Sequence, residues 1–285
     1  MTIIPVISIN LLDEVSCERC KKGLKILQLA GTSDARQLAI ELMKEHFQVI
    51  TTVVTENAKK ELKKAGLEVI VGRLTDSDFF ELIKRNQIDV VVDGSHPFAE
   101  EASKNAMKAA KLAKIPYVRF ERPSQKFRDK LIIEVDSYEA AADVAAKKRG
   151  NIMLTTGSKT LEIFTRKLLH LPNTRVIARM LPRKDNMEKC EHLQIPQKDI
   201  IAIQGPFSKE LNIALFRQYN ITLMITKESG RAGSVDEKIE AAKELGIETI
   251  IIKRPNIHYG TSFSNIDEVI TYLKGEDFNG HGFSY

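Results

Sequence analysis

The chain has no tryptophan, aromatic residues make up only 6% of it, and cysteine occurs three times in 285 residues. Each shortage excludes something. Nucleic-acid binding calls for a basic stripe interleaved with stacking aromatics; here 43 Lys and Arg are scattered among 38 Asp and Glu, for a net charge of +5. A mildly basic surface suits a small polyanion equally well. Three cysteines cannot build a disulfide framework, so a reducing cytoplasm is the expected compartment. Cys17 and Cys20 stand in C-x-x-C spacing, but no second Cys or His pair completes a tetrahedron, and an ordinary N-terminal extension explains them. Long apolar runs are also missing. Segments such as Ile201 to Ile203 and Ile250 to Ile252 are far too short for a membrane span. The opening MTIIPVISINLLDEVS lacks a basic leading segment and carries Asp13 and Glu14 where a cleavage site needs small residues, so no secretion signal is expected. The six histidines show no ligand spacing, and neither a G-x-S-x-G elbow nor an H-E-x-x-H helix occurs; no metal site is expected. No obligate protein partner is evident.

What is present is alternation. Apolar runs at Lys25 to Ala30, Val49 to Val54, Glu68 to Val71, Asp89 to Val92 and Tyr117 to Phe120 are separated by helical patterns at Asn57 to Ala65, Asp76 to Arg85 and Phe98 to Ala113. Nearly all-apolar strands alternating with helices predict a parallel sheet covered on both faces. Around Glu121 to Lys130 the chain turns polar, and a second series follows. Its strands are predicted at Leu131 to Glu134, Ile152 to Thr155, Arg175 to Ala178, Ile200 to Ile203, Thr222 to Ile225 and Thr249 to Ile252. Ser234 and Glu237 stand in capping-box spacing ahead of a helix over Asp236 to Leu245. Pro182 to Pro196, rich in charge and proline, reads as a long loop or short irregular helix. The expected organisation is an extension (1–24), an α/β domain (25–121), a second α/β domain (122–275) and a tail (276–285), each domain being a mostly parallel sheet flanked by helices.

In such sheets ligands gather beyond the carboxyl ends of the strands, where helix amino ends present unpaired N–H groups and partial positive charge. At the first strand-to-helix turn, Gly31 gives a phosphate room at the backbone, while Thr32 and Ser33 offer a cap and hydroxyls. Arg36 opposes the helix dipole unless Asp34 or a bound anion offsets it. A plain N-capped helix with a solvated Arg36 explains the same residues, since one glycine is weak against the three of the dinucleotide fingerprint. Glu56 follows the second strand, about 25 residues on, near where an acidic side chain accepts from the adenosine ribose. No arginine lies in Val49 to Lys60, which favours NADH over NADPH, with NADPH still possible. At the fourth turn, DGSHPF, Pro97 suits a first helical position with His96 as its cap, and Gly94 beside Ser95 leaves room for a ligand. In the second half, TTGSKT, IQGPFSKE and TKESGRAGS each join strand to helix through glycine, serine and lysine. Together they would present Lys159, Lys209, Lys227 and Arg231 to a ligand bearing several carboxylates. TTGSKT is not a phosphate-binding P-loop, because its glycine does not directly precede Lys159 and the earlier glycine is absent.

Taken in order, GTSDAR, DGSHPFAEEAS, TTGSK, QGPFS and KESGRAGSVDEKIEAA resemble the precorrin-6A reductase family of cobalamin biosynthesis, a likeness running from Lys25 to about Leu273. The resemblance implies two Rossmann-like domains with a reduced nicotinamide and a tetrapyrrole substrate between them, hydride passing to C19 of the macrocycle and a proton to C18. It implies cofactor contacts from Gly31, Thr32, Ser33, Asp34 and Arg36, with Thr55, Gly94, Ser95 and His96 lining that site beside Glu56. It implies substrate contacts from Gly157, Ser158, Lys159, Gly205, Pro206, Phe207, Ser208, Lys227, Glu228, Ser229 and Gly230. His96, Lys227, Glu228 and water are the candidate proton donors, and the similarity leans toward the cobalt-containing substrate. Two other readings fit the residues: a cofactor-free two-domain tetrapyrrole enzyme, and a nicotinamide-binding regulatory subunit without turnover.

Overall fold

The computed structural model describes residues 23–123, 129–228 and 235–275; Cys17, Cys20, Ser229, Gly230, Arg231 and Ser234 lie outside them, as does the tail from 276. The chain divides into two compact units, one comprising the segment up to Glu121 together with that from His258, the other Arg122–Ile257.

The first unit alternates β1 (Lys25–Leu29), α1 (Ser33–Lys44), β2 (Gln48–Val53), α2 (Glu56–Lys64), β3 (Glu68–Val71), α3 (Asp76–Asn86), β4 (Val90–Asp93), α4 (Glu100–Ala113) and β5 (Tyr117–Phe120). The strands are apolar on both faces because helices cover both: Ile26, Val90 and Val92 join a core with Leu38 and Leu42 of α1, while Leu27 and Val91 pack with Phe79 and Ile83 of α3 and Ala106 and Ala110 of α4. Side-chain caps start the helices where the sequence has Thr: Thr32 for α1, Thr55 for α2, and a reciprocal Thr75–Asp78 capping box for α3.

The second unit runs β6 (Ile132–Val135), α5 (Tyr138–Lys148), β7 (Gly150–Leu154), α6 (Leu161–Leu168), β8 (Thr174–Met180), α7 (Lys184–His192), β9 (Ile200–Ala202), α8 (Lys209–Gln218), β10 (Leu223–Lys227), α9 (Val235–Glu244) and β11 (Glu248–Ile252). Met153, Ile177 and Met224 form its core with Phe216 of α8 and Ile239 and Ala242 of α9. The segment Pro182 to Pro196, expected as a loop or irregular helix, contains the regular α7, held because Cys190 is buried and Asn186 bonds to the Leu181 carbonyl at 3.0 Å.

The expected second domain, drawn to residue 275, is too long. Beyond His258 the chain forms β12 (Ser262–Phe263) and α10 (Ile266–Lys274), which belong to the first unit. β12 pairs with β5 in the registers Ser262–Arg119 and Phe263–Phe120, and Val269 and Leu273 of α10 are buried in the core of α1. A two-residue strand carries no readable alternation, whereas the sheet needs it to cover the β5 edge.

With that addition the first sheet reads β12-β5-β4-β1-β2-β3, the dinucleotide-binding Rossmann order seen from its far edge, and the second reads β6-β11-β10-β7-β8-β9. Every pairing is parallel among the described residues. The fold is thus two Rossmann-like α/β units, and no described helix is long and apolar enough to cross a membrane.

Candidate functional site

Where neighbouring strands lead off to opposite sides of an open parallel sheet, a crevice forms beyond their carboxyl ends. In the first sheet that point lies between β1 and β4; in the second, between β7 and β10. GTSDAR and DGSH therefore flank the first, and TTGSK and the Lys227–Glu228 turn flank the second.

At the first point, Thr32 does two jobs. Its hydroxyl accepts from the Ala35 N–H at 3.1 Å and donates to the Gly94 carbonyl at 3.1 Å, tying the β1 turn to the β4 turn. Gly31 and Ser33 remain exposed, Asp34 half-buried. A Cβ on Gly31 would meet nothing nearer than the Ser95 Cα at 4.0 Å, so the amino end of the twelve-residue α1 is open to an anion. These features fit the pyrophosphate of a nicotinamide dinucleotide. Arg36 Nε pairs with Glu61 of α2 at 2.9 Å, which offsets a cation in the first helical turn, where the sequence had pointed to Asp34 or a bound anion. At the end of the neighbouring β2, Thr55 caps α2 through the Ala58 N–H at 3.3 Å, and Glu56 is exposed and paired with Lys59 at 3.1 Å.

The β4 turn departs from expectation in two places. His96 does not cap α4, which starts at Glu100 behind an Ala99 without a side-chain cap; its Nδ1 instead accepts from the Phe98 N–H at 3.2 Å within a preceding turn. Gly94 makes room for the protein, not for a ligand, since a Cβ there would collide with the Cβ of Ala35. Glycine lets α1 approach β4. Ser95 is likewise turned inward, its hydroxyl accepting from Arg119 Nη1 at 3.2 Å.

That guanidinium belongs to a buried cluster not read as a site from the sequence. Arg119 and Asp93, both fully buried, pair at 3.0 Å. Asp93 also accepts from Ser103 at 2.6 Å, Tyr117 at 2.5 Å and the Ser95 N–H at 2.8 Å, while Arg119 reaches Glu121 at 2.6 Å and lies 4.7 Å from the Tyr259 ring centroid. Burial would push the Asp93 carboxyl up, but Arg119 and these donors hold it below the usual carboxylate range. Burial and then the Asp93 carboxylate push the Tyr117 phenol far above its ordinary value. Every charge here has its opposite, and the cluster fixes the β4 turn.

At the second point the charges are arranged differently. Gly157 sits at φ +83° with open space where a Cβ would stand, followed by Ser158, which donates to Asn186 Oδ1 at 2.5 Å, and the exposed Lys159. Lys227 ends β10, and burial together with Lys159 brings its ammonium down to about 8. Glu228 is buried against Arg254, Oε1 to Nε at 3.4 Å. Lys209 pairs with Glu244 of α9 at 2.8 Å and so leaves the expected rim of cations. In the third turn Ser208 caps α8 through the Leu211 N–H at 3.3 Å, Gly205 and Pro206 are joined by a cis peptide, and Phe207 lies against the guanidinium of Arg179, 4.5 Å from its ring centroid. Arg179, near the end of β8, was missed, as was Lys238 of α9, whose Nζ donates to Thr226 at 3.1 Å. Both are 6% exposed. Arg179 has no glycine-serine-lysine turn beside it, and Lys238, though inside KESGRAGSVDEKIEAA, lies past the turn on the helix that follows. No described cluster of His, Cys, Asp and Glu is able to hold a metal.

A family model described as precorrin-6x reductase CbiJ/CobK matches residues 25–274. A protein of Priestia megaterium named cobalt-precorrin-6A reductase is 58% identical over 248 residues, 87% of this chain and 97% of that one. One of the same name from Methanococcus maripaludis is 38% identical over 249 residues, 86% of this chain and 96% of the other. The solved structure described as CobK precorrin-6A reductase superposes with a TM-score of 0.72 at 22% identity, covering 92% of this chain and 100% of that one, a likeness of fold. From the matched span and these identities, the chain belongs to the precorrin-6x reductase family.

Proposed function

We propose that this chain reduces cobalt-precorrin-6A with NADH in the cytoplasm, hydride passing to C19 of the macrocycle and a proton to C18. The observation that carries the reading is the unlike furnishing of two like sheets: an open helix amino end at the switch point of the first, buried and half-buried cations at that of the second. The three relatives at 38% identity or more carry cobalt in their names, which favours the metallated substrate.

The nicotinamide supplies hydride when bound; the residues of this chain supply position and a proton. Gly31, Ser33 and the first turn of α1 receive the pyrophosphate, and Arg36 lies one turn along. Glu56 accepts from a ribose hydroxyl, favouring NADH, while Val54, 54% exposed at the end of β2, gives the adenine an apolar surface. On the other unit Gly157, Ser158, Lys159 and Lys227 receive the macrocycle's carboxylates. The acceptor is an extended π-system, so holding it at reacting distance accounts for most of the rate, and no nucleophile is required.

Of the three side chains named as proton donors, Lys227 fits best. Glu228 is occupied by Arg254, and one ring nitrogen of His96 already accepts a backbone N–H. An ammonium brought down to about 8 is protonated at neutral pH yet able to give the proton up. The turnover number is therefore expected to fall as pH rises through about 8, and Lys227→Met to remove that limb. The primary test follows NADH absorbance in the purified protein on addition of cobalt-precorrin-6A: stoichiometric loss supports the reading, and constant absorbance with formation of any other product rejects it.

A further inference from the structure

We infer that Leu181, just past the carboxyl end of β8, is an apolar platform for the face of the macrocycle, standing in the second unit where Val54 stands in the first. This rests on the function proposed above and adds to it an uncharged residue outside the recognised turns. Among the described residues three large apolar side chains are left exposed: Val54, Leu112 and Leu181. Leu112 lies in the last turn of α4, which runs back from the carboxyl edge of its sheet, so it belongs to the opposite edge. The other two occupy the same place in two like sheets.

That equivalence follows from strand order and register. β1 lies between β4 and β2, and β7 lies between β10 and β8. Leu29 stands beside Thr52, and two residues past them come Gly31 and Val54; Leu154 stands beside Ala178, and three residues past them come Gly157 and Leu181. Leu181 is therefore to the Gly157 turn what Val54 is to the Gly31 turn. In the first unit the exposed side chain offers a surface to a flat base; in the second, the flat ligand is the macrocycle.

A single exposed leucine is ordinary, but this one is fixed in place. Pro182 follows it and confines its backbone to the extended region. Its carbonyl accepts from the Arg183 N–H at 2.8 Å and from Asn186 Nδ2 at 3.0 Å. Asn186, 7% exposed, links it to the neighbouring turn, because its Oδ1 accepts from Ser158. Further along α7, Lys189 donates to the Lys159 carbonyl at 3.3 Å. The first turns of α7 thus hold Leu181 and the turn from Gly157 to Lys159 in one frame, which gives a use to the segment expected as a loop or irregular helix. A residue already confined loses little freedom when a ligand covers it, so the gain from taking its apolar surface out of water goes to binding. Carboxylates are carried by open-chain acids too; an apolar contact recognises the ring.

The test titrates uroporphyrin III, a flat macrocycle bearing only carboxylate side chains, by its own fluorescence into the full-length native protein and into Leu181→Met, Leu181→Asn and Leu181→Ala. NADH is titrated separately, and melting temperatures are taken alongside. Methionine keeps an apolar side chain of similar size, whereas asparagine keeps the branching and loses the apolarity. Leu181→Met should bind uroporphyrin as the native chain does, and Leu181→Asn and Leu181→Ala should each bind it roughly fivefold more weakly, as the loss of a partly exposed leucine's burial requires. NADH binding and melting temperature should not change in any of them. Native affinity in the asparagine or alanine variant, or no uroporphyrin binding by the native protein, would overturn the platform. Equal weakening in all three variants with a lowered melting temperature would show that Leu181 shapes the turn and does not meet the ring. Reduction of cobalt-precorrin-6A by a Leu181→Ala protein of native uroporphyrin affinity would keep the reductase reading and reject the platform. The predicted pattern of affinities in a protein that leaves NADH unoxidised in the presence of cobalt-precorrin-6A would do the reverse.

Discussion

Arg36 and Asp93 show how differently one side chain weighs depending on its partners. Arg36 sits one turn into α1, paired to Glu61 across solvent. Such a pair is worth little by itself, about 0.2–1 kcal/mol. If the guanidinium also meets the pyrophosphate, Arg36→Ala will raise the dissociation constant for NADH roughly tenfold, about 1.4 kcal/mol, while barely moving the melting temperature; fluorescence titration separates that from a purely structural pair, which would leave the constant unchanged. Asp93 is buried among four donors. Asp93→Asn leaves Arg119 short of a counter-charge and should destabilise the fold by about 3 kcal/mol, near the low end for a broken buried pair because Glu121 remains; a urea midpoint close to native would contradict this. The cap at Thr32 was legible at this scale because its chemistry is local, whereas Gly94 and Ser95, expected beside a ligand, face Ala35 and Arg119. Arg119, Arg179, Asn212 and Lys238 were not legible: each matters through a residue twelve or more positions away, and a lone Arg or Lys in sequence does not announce that it is buried.

At the scale of elements, the strands and most helices followed from alternation and caps, since a strand covered on both faces has to be apolar and a side-chain-capped helix begins at Ser, Thr, Asp or Asn. β12 and the boundary at His258 did not, because what specifies them is the open edge of β5 and the gap beside α1, which exist only once the sheet is assembled. The backbone N–H groups of Arg119 and Glu121 donate to the carbonyls of Thr261 and Phe263, each at 2.9 Å. Deleting the chain from His258 onward removes those partners and strips Val269 and Leu273 from the core of the first unit. The expected outcome is loss of NADH binding together with protease cleavage confined to the first unit, while the second, complete within Arg122–Ile257, resists. Uniform resistance of the truncated protein would show that β12 and α10 are dispensable.

For the whole molecule, charge balance predicts a pH signature. Lys238 and Lys227, brought down to about 7 and about 8 from an ordinary 10.5, bind fewer protons folded than unfolded across the interval from roughly 7 to 10. Stability should therefore climb with pH through that window, and below it the cost of the buried ammonium groups is fully present and no longer changes. Asp93 acts in the opposite region: its lowered pKa stabilises the fold above the ordinary carboxylate range and ceases to do so as pH falls through its folded value. Urea midpoints across pH should show the alkaline rise in the native chain and a smaller one in Lys238→Met; equal slopes would mean that Lys238 is not held neutral by the fold. The most direct measurement of the proposed reaction uses NADH with both C4 hydrogens replaced by deuterium, together with cobalt-precorrin-6A, and reads the product by mass and NMR. Transfer of a single deuterium to C19 per NADH consumed is the predicted result; a product without deuterium, or with the label at another carbon, would contradict it.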